Sequence, residues 1–365
     1  MMAKNRFIIS GGGTGGHIYP ALSIANEIKK SFNNAEIKFV GALGRMEMDI
    51  IPKYGYKING LPISGLQRSL SLKNITLPFK LVFSLIKSSY ILLSFKPIFV
   101  IGTGGYVSFP IVFISSIFRI PTLIQEQNSL PGISNRILSR YTNYISVAYD
   151  DMEKYFPEKK LYITGNPIRE SIKNRANYNN LKKKLNIPMG NILITILGGS
   201  LGSDRINKTI EKNIDFFNSK DITVIWQCGK NYYKTYKKYI SDKLFITDYI
   251  EDIDSTYYSS DIIIARSGAL TLSELAIVSK PCILIPSPNV AENHQLENAR
   301  KIEEKNACIC IEEKDLDLIF INKLDLLLND SNLRNELSNN ISLIAMPNAS
   351  KDIIELIKKH LTNDQ

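Results

Sequence analysis

Between Gly11 and His17 the chain reads GGGTGGH: five glycines and a threonine in six residues, then one of only three histidines in the protein. Glycine lets backbone N–H groups approach a ligand closely and permits positive φ. The apolar run Phe7–Ile9 precedes this stretch and a pattern of helical period follows it. It therefore reads as a strand-to-helix turn, and a helix start offers unpaired donors and partial positive charge. Such a turn suits a phosphate or another oxygen-rich group; a tight turn with no ligand is the plainer alternative. His17, where the helix begins, is a candidate general base because imidazole titrates near neutral pH. A capping or packing role is its alternative.

The spacing Gly11-x-Gly13-x-x-Gly16 fits the dinucleotide fingerprint, which also wants an acid at the end of the second strand. That strand, Ile37–Val40, ends in Gly41-Ala42-Leu43-Gly44 with no acid, so a nicotinamide site is weakly supported. A Walker A loop is excluded, since no Gly-Lys-Ser/Thr follows any of the glycine turns. Further strand-to-helix turns repeat the device: TGGYVS (103–108), GGSLG (198–202), RSGALTLSE (266–274) and PSPNVAENHQLENA (286–299). Glu274 falls about one turn inside a helix beginning near Ala269. A carboxylate there accepts from the vicinal hydroxyls of a ribose, or simply complements the helix dipole. Several such turns together argue for one polar, phosphate-bearing ligand.

Apolar runs alternating with helical patterns position these turns: 7–10, 37–41, 98–102, 122–125 and 144–148, then 191–197, 223–227, 244–247, 261–265 and 282–286. Continuous apolar strands separated by helices indicate buried parallel sheets. The series restarts after a Lys- and Asn-rich stretch, which places a domain joint near 165–184. The fold class is α/β: two doubly wound, Rossmann-like domains facing a cleft, with ligands at the carboxyl ends of the strands.

The length of 365 residues fits two domains. A net charge of +10 is consistent with an anionic partner or with a Lys-rich composition alone. Cys228, Cys282, Cys308 and Cys310 lack metal or disulfide spacing and read as reduced core residues of a cytosolic protein. No apolar signal-peptide core precedes the glycines, and no uncharged apolar run is long enough to span a bilayer. Asp252-x-Asp254 and Asp315-x-Asp317 imitate a metal-binding pair but precede helical patterns, so they read as helix caps. No metal or cofactor is predicted. The stretch KNYYKTYKK (230–238) superficially suits nucleic acid but reads better as a solvated helix face.

Taken in order, GGTGGH (12–17) with Tyr19-Pro20-Ala21, GTGGYVS (102–108), EQN (126–128), GNPIR (165–169), GGSLG (198–202), RSGALTLSE (266–274) and NHQLENA (293–299) resemble the family 28 glycosyltransferases of the MurG type. The resemblance runs from about Phe7 to the chain end. It implies the GT-B fold, with domains at 1–166 and 167–344 and a C-terminal helix within 345–365 packing back on the first. It implies an inverting transfer of N-acetylglucosamine from UDP-GlcNAc to the 4-hydroxyl of the muramoyl-pentapeptide of lipid I. The first domain would take the acceptor and face the membrane; the second would take the donor.

By that resemblance Thr14, Gly15 and Gly16 form the loop near the donor sugar and diphosphate, Asn128 contacts the sugar, and Arg169 and Ser200 hold the diphosphate. Ile250 makes a backbone contact to uracil, and Ala269, Leu270, Thr271, Leu272, Ser273 and Glu274 form the nucleotide helix, with Glu274 on the ribose. Gln295 meets the donor sugar. His17 is implied as general base, with Tyr106 and Glu126 on the acceptor side. Two positions depart from the family: Gln125 stands where histidine is usual, and Phe109 where glycine is usual.

The stretch 72–96 is apolar apart from lysines, hydroxyls and one amide, with Lys73, Lys80 and Lys87 seven residues apart. Pro78 predicts an entry turn and a helix from about Phe79. A buried helix accounts for most of these residues. The remaining expectation is that Phe79, Lys80, Phe83, Lys87 and Phe109 form an apolar patch rimmed by positive charge that rests on an anionic leaflet without spanning it. The expected partners are UDP-GlcNAc, lipid I, the cytoplasmic leaflet of the inner membrane and other cell-wall synthesis proteins, with no nucleic acid. The alternatives are a sugar-nucleotide epimerase of the same fold and a basic nucleic-acid-binding protein.

Overall fold

The computed structural model describes residues 5–65, 76–173, 181–188, 190–199, 201–290 and 293–363. The chain divides into two units, Met1–Arg169 with Pro347–Gln365 and Glu170–Met346.

The first unit carries β1 (Arg6–Ser10), α1 (Gly15–Ser31), β2 (Glu36–Ala42), α2 (Glu47–Lys53), β3 (Lys57–Leu61) and α3 (Leu77–Phe95). It continues with β4 (Phe99–Gly102), α4 (Ser108–Ile117), β5 (Thr122–Glu126), α5 (Ile133–Leu138), β6 (Tyr144–Val147) and β7 (Leu161–Ile163). Its seven strands are ordered β3-β2-β1-β4-β5-β6-β7, all parallel. Phe7, Ile9, Phe99 and Ile101 are buried on one face against α1, while Ile8, Val100 and Ile124 are buried on the other against α3 and α4. Burial of both faces explains why these strands are apolar throughout.

The second unit begins with two short helices, α6 (Glu170–Lys173) and α7 (Leu181–Lys184). Then follow β8 (Ile192–Leu197), α8 (Asp204–Lys212), α9 (Ile214–Ser219), β9 (Ile222–Gln227), α10 (Tyr233–Tyr236), β10 (Leu244–Thr247) and α11 (Ile253–Ser259). β11 (Ile262–Ala265), α12 (Ala269–Val278), β12 (Cys282–Leu284), α13 (His294–Glu303), β13 (Ile309–Cys310), α14 (Leu316–Asn329) and α15 (Ser331–Leu343) complete it. Its six strands run β10-β9-β8-β11-β12-β13, again all parallel. Trp226, Phe217 and Phe320 anchor the core. The final helix, α16 (Ala349–Asn363), returns to the first unit, where Ile353, Ile354 and Ile357 are buried with the core beside α1.

Several readings of the sequence are corrected. The helix expected from Phe79 begins at Leu77, with Pro78 in its first turn, where a missing N–H costs nothing. The same helix is not mainly buried: Phe79, Val82, Phe83 and Ile86 are 54–67% exposed. By length and composition it could cross a membrane, but Ser84, Ser88, Ile91, Leu92 and Phe95 are buried within the unit. Lys73, expected on its edge, lies outside the described residues. Asp252 caps α11 by accepting from Ser255 N at 3.1 Å, but Asp315 makes no side-chain cap, and Asp317 pairs instead with Arg205 and Lys212.

The lysine-tyrosine stretch is not one solvated face. Tyr236 is buried with its ring 4.8 Å from that of Trp226, and Tyr232 and Tyr233 pack on the same core, so these rings form no stacking platform for bases. Cys228, Cys282 and Cys308 are buried, and burial pushes the Cys228 thiol up to about 11 and that of Cys282 to about 12. These sulfurs stay protonated and inert at neutral pH.

Candidate active site

Both sheets reverse strand order at one place, between β1 and β4 and between β8 and β11. The crevice beyond the carboxyl ends of such strands is where doubly wound sheets bind ligands. The glycine turns singled out in the sequence all leave these strands or their neighbours.

In the first unit the loop after β1 runs into α1, whose N-cap residue Thr14 is extended and makes no side-chain cap bond. Gly15 and Gly16 open the helix and His17 completes its first turn. The loop is held from below by Glu47, which is fully buried at the start of α2. Its Oε2 accepts from Gly13 N and its Oε1 from Ala42 N, both at 3.0 Å. Glu47 lies in α2, beyond the end of β2, and both of its oxygens are spent on the main chain around the glycine loop.

The second glycine turn clamps His17. Thr103 Oγ1 donates to His17 O at 2.8 Å, and Thr103 O lies 3.0 Å from the ring Nδ1. Gly104 has φ +98°, and a Cβ there would stand 2.7 Å from Nδ1. Only glycine allows the turn to press against the imidazole. Gln127 Oε1 also lies 3.0 Å from Nδ1. The Tyr106 ring passes near Gly13 and Gly65, and its hydroxyl is buried without a hydrogen-bond partner among the described residues.

Glu126, at the end of β5, is buried and fully engaged. Oε1 accepts from Asn128 N and Nδ2 at 3.1 and 3.2 Å, and Oε2 from Gly132 N and Asn135 Nδ2 at 3.1 and 2.8 Å. The carboxylate thereby shapes the 127–135 loop and sets the side chain of Asn128. Arg169 is exposed, with its guanidinium carbon 5.9 Å from the Tyr19 ring centre.

In the second unit the turn after β8 is fixed by Ser203, which caps α8 and accepts from Arg266 Nη2 at 2.5 Å. Arg266 also pairs with Glu313 at 2.5 Å and donates to Ile285 O at 3.0 Å, tying together the ends of β8, β11 and β12. Gln227 Nε2 donates to Gly199 O, and its Oε1 accepts from Ile250 N, both at 3.0 Å. Ser200 lies outside the described residues.

Helix α12 starts at Ala269 after Gly268, which has no capping side chain. Leu270, Thr271 and Ser273 are half-buried along its first turns, while Ala269, Leu272 and Glu274 are buried. Glu274 Oε2 accepts from the Tyr257 hydroxyl at 3.3 Å. Gln295, in the first turn of α13, accepts from Ser287 N at 2.9 Å, and its carbonyl accepts from Ser267 Oγ at 2.8 Å. Of the expected donor residues, Ile250, Ala269–Glu274 and Gln295 lie beyond the carboxyl ends of β10, β11 and β12, whereas Thr14, Gly15, Gly16, Asn128 and Arg169 belong to the first unit. The sequence pointed to neither Glu47, Gln127 nor Arg266 as parts of the site. Gln127 lay inside a quoted motif, and Arg266 headed another.

Two doubly wound parallel sheets, each with a glycine turn and a helix start at its switch point, define the GT-B class of nucleotide-sugar proteins. Residues 7–147 match the glycosyltransferase family 28 N-terminal domain and residues 193–357 the glycosyltransferase family 28 C-terminal domain. The chain belongs to glycosyltransferase family 28. A relative from Flavobacterium psychrophilum is 49% identical over 98% of each chain, and one from Christiangramia forsetii 46% over the same shares. Both are named UDP-N-acetylglucosamine--N-acetylmuramyl-(pentapeptide) pyrophosphoryl-undecaprenol N-acetylglucosamine transferase. Among solved structures, Acinetobacter baumannii MurG superposes with a TM-score of 0.78 at 23% identity, covering 98% of this chain and all of that one. A UDP-GlcNAc 2-epimerase from Neisseria meningitidis gives 0.67 at 16% identity, covering 97% and 100%. Likenesses this distant in sequence speak to the fold alone.

Proposed function

We propose that the protein transfers N-acetylglucosamine from UDP-GlcNAc to the 4-hydroxyl of the N-acetylmuramoyl-pentapeptide of lipid I, with inversion at the anomeric carbon, giving lipid II for peptidoglycan. The full-length identity of 49% to a transferase of that name carries the reading.

The second unit takes the donor. Glu274 accepts from the ribose, Ile250 meets the uracil through its backbone, and Gln295 donates its amide to the sugar, its Oε1 being occupied by Ser287 N. The start of α12, with Leu270 and Thr271, receives the phosphates. The first unit takes the acceptor. His17 removes the proton of the 4-hydroxyl as its oxygen bonds to the anomeric carbon and the bond from that carbon to the diphosphate breaks. Tyr106, whose buried hydroxyl has no partner among the described residues, hydrogen-bonds the acceptor. Glu126 acts by shaping the loop that carries Asn128. The charge that develops on the UDP diphosphate is met by helix starts and by Arg169. That supply of positive charge makes a metal unnecessary, and Asp252 and Asp317 are already committed to a cap and to ion pairs.

The acceptor is lipid-linked, and α3 supplies the surface that reaches it. Phe79, Val82, Phe83, Ile86, Tyr90 and Leu93 project at 54–73% exposure. Lys87 is exposed, and Lys80 donates to Ser64 Oγ at 3.2 Å. Phe109 on α4 does not project; it stacks on Phe113 at 5.4 Å, and Phe113 meets Tyr141 edge-on at 5.2 Å. Ile133, Ile137 and Tyr141 continue the apolar face at 44–61% exposure. They border a 610 Å³ cavity lined by Arg136, Arg140 and Lys154. An apolar face of this size on one unit, with cations at its margin, suits the anionic cytoplasmic leaflet. The test of the function is transfer of labelled sugar from UDP-GlcNAc to a lipid I analogue, with the label expected in the lipid product.

A further inference from the structure

Three buried amides stand behind His17. Gln127 Nε2 lies 2.7 Å from Thr103 O and 3.3 Å from Gln125 O, and it also donates to Gln125 Oε1. Two of those acceptors are main-chain carbonyls, which cannot be exchanged for donors. The Gln127 amide therefore has one orientation, with its NH2 toward the carbonyls and its Oε1 toward the imidazole. Gln125 Nε2 donates in turn to Asn166 Oδ1 at 2.9 Å, and Asn166 Nδ2 donates to Gln127 O at 3.1 Å. That last main-chain carbonyl fixes the third amide. Gln125, Gln127 and Asn166 are all buried.

The Nδ1 of His17 thus faces two oxygens, Gln127 Oε1 and Thr103 O, each at 3.0 Å and neither with a proton to give. Nδ1 must be the donor. We infer that the chain Gln127–Gln125–Asn166 is a tautomer lock. It holds neutral His17 in the Nδ1–H form, so that Nε2 carries the lone pair and is the atom that accepts the proton. Gln127 is a positioning residue and Gln125 orients it. This gives a task to the glutamine that stands where the family resemblance leads one to expect histidine. Both partners of Nδ1, the Gln127 amide and the Thr103 carbonyl, are uncharged, so the lock sets direction without adding negative charge. A free imidazole in water has no such constraint, and a base presenting the wrong nitrogen is severely impaired.

The inference rests on His17 being the general base, and the experiment separates the two claims. In the full-length, 15N-labelled protein, two-bond proton–nitrogen correlation of the three histidines, assigned with His17→Asn, reads the tautomer without turnover. The expected wild-type spectrum at pH 8 shows a pyrrole-type Nδ1 and a pyridine-type Nε2. Gln127→Met removes one of the two oxygens that face Nδ1 and leaves Thr103 O in place. With one acceptor lost, the share of the Nε2–H tautomer is expected to rise and kcat to fall by up to about 10-fold, while the KM for UDP-GlcNAc stays unchanged. An Nε2–H resting tautomer in the wild type would overturn the lock whatever Gln127→Met does. Wild-type turnover by His17→Asn would overturn the base assignment and with it the catalytic purpose of the lock.

Discussion

His17 and Glu274 sit on different units, and the roles proposed for them are separable, so their variants should fail differently. His17→Ala should lower kcat by about 10²–10⁴-fold and leave UDP affinity nearly intact, because general-base work is distinct from nucleotide binding. Steady-state rates with a soluble acceptor and calorimetry with UDP check this; near-normal turnover would move the base elsewhere. Glu274→Ala should weaken UDP binding by about 10- to 150-fold, the equivalent of roughly 1.5–3 kcal/mol for lost charged hydrogen bonds. It also removes the carboxylate oxygen that accepts from the buried Tyr257 hydroxyl. Glu274→Gln, which keeps an acceptor for that hydroxyl, should therefore lose affinity with less loss of thermal stability. Unchanged UDP affinity in both variants would contradict the ribose assignment. The sequence exposed these two residues because each lies within a turn of a glycine-rich helix start. It hid Glu47 and Gln127, whose roles depend on where their carboxylate and amide are directed. Glu47 reaches back from the start of α2 to Gly13 N, thirty-four positions away in the chain. No local pattern announces a contact of that separation.

Helix α3 shows what composition says and what it leaves open. The apolar run was plain in the sequence, but burial and display on a surface demand the same side chains. Only the packing separated Ile91 and Leu92, which are buried, from Phe83 and Ile86, which are 61–63% exposed. The paired change Lys80→Glu and Lys87→Glu should reduce binding to anionic vesicles by about 10- to 1,000-fold, each lysine near such a surface being worth about 1 kcal/mol. Turnover of a short-chain, soluble acceptor should survive. Vesicle sedimentation at low salt checks this, and equal binding by wild type and variant would remove α3 as the docking surface. Strands show a similar boundary. The ten apolar runs of the sequence all became strands, whereas β3, β7 and β13 were missed, and each of these is a sheet edge. An edge strand pairs on one side and is less enclosed, so Lys57, Asn59 and Tyr162 are tolerated and the apolar signal weakens. β10, also an edge, was legible because Leu244 and Ile246 are buried in the core.

At the scale of the molecule, two repeats of one device make the enzyme. Each unit bends its chain at a sheet switch point and places a glycine turn and a helix start there. The first adds a clamped histidine and an apolar outer face, and the second adds a buried carboxylate, Glu274, which we propose receives the nucleotide ribose. Fold alone does not separate a transferase from a sugar-nucleotide epimerase, since both superpose on this chain with TM-scores of 0.67 or more. What separates them is dependence on an acceptor. The most direct measurement is incubation with radiolabelled UDP-GlcNAc, with and without a lipid I analogue, in the presence of a chelator, followed by determination of the product linkage. The account predicts label in the lipid product through a β-linkage to the 4-hydroxyl, UDP release only when the analogue is present, and no loss on chelation. Acceptor-independent conversion of the sugar nucleotide, or an α-linked product, would contradict it.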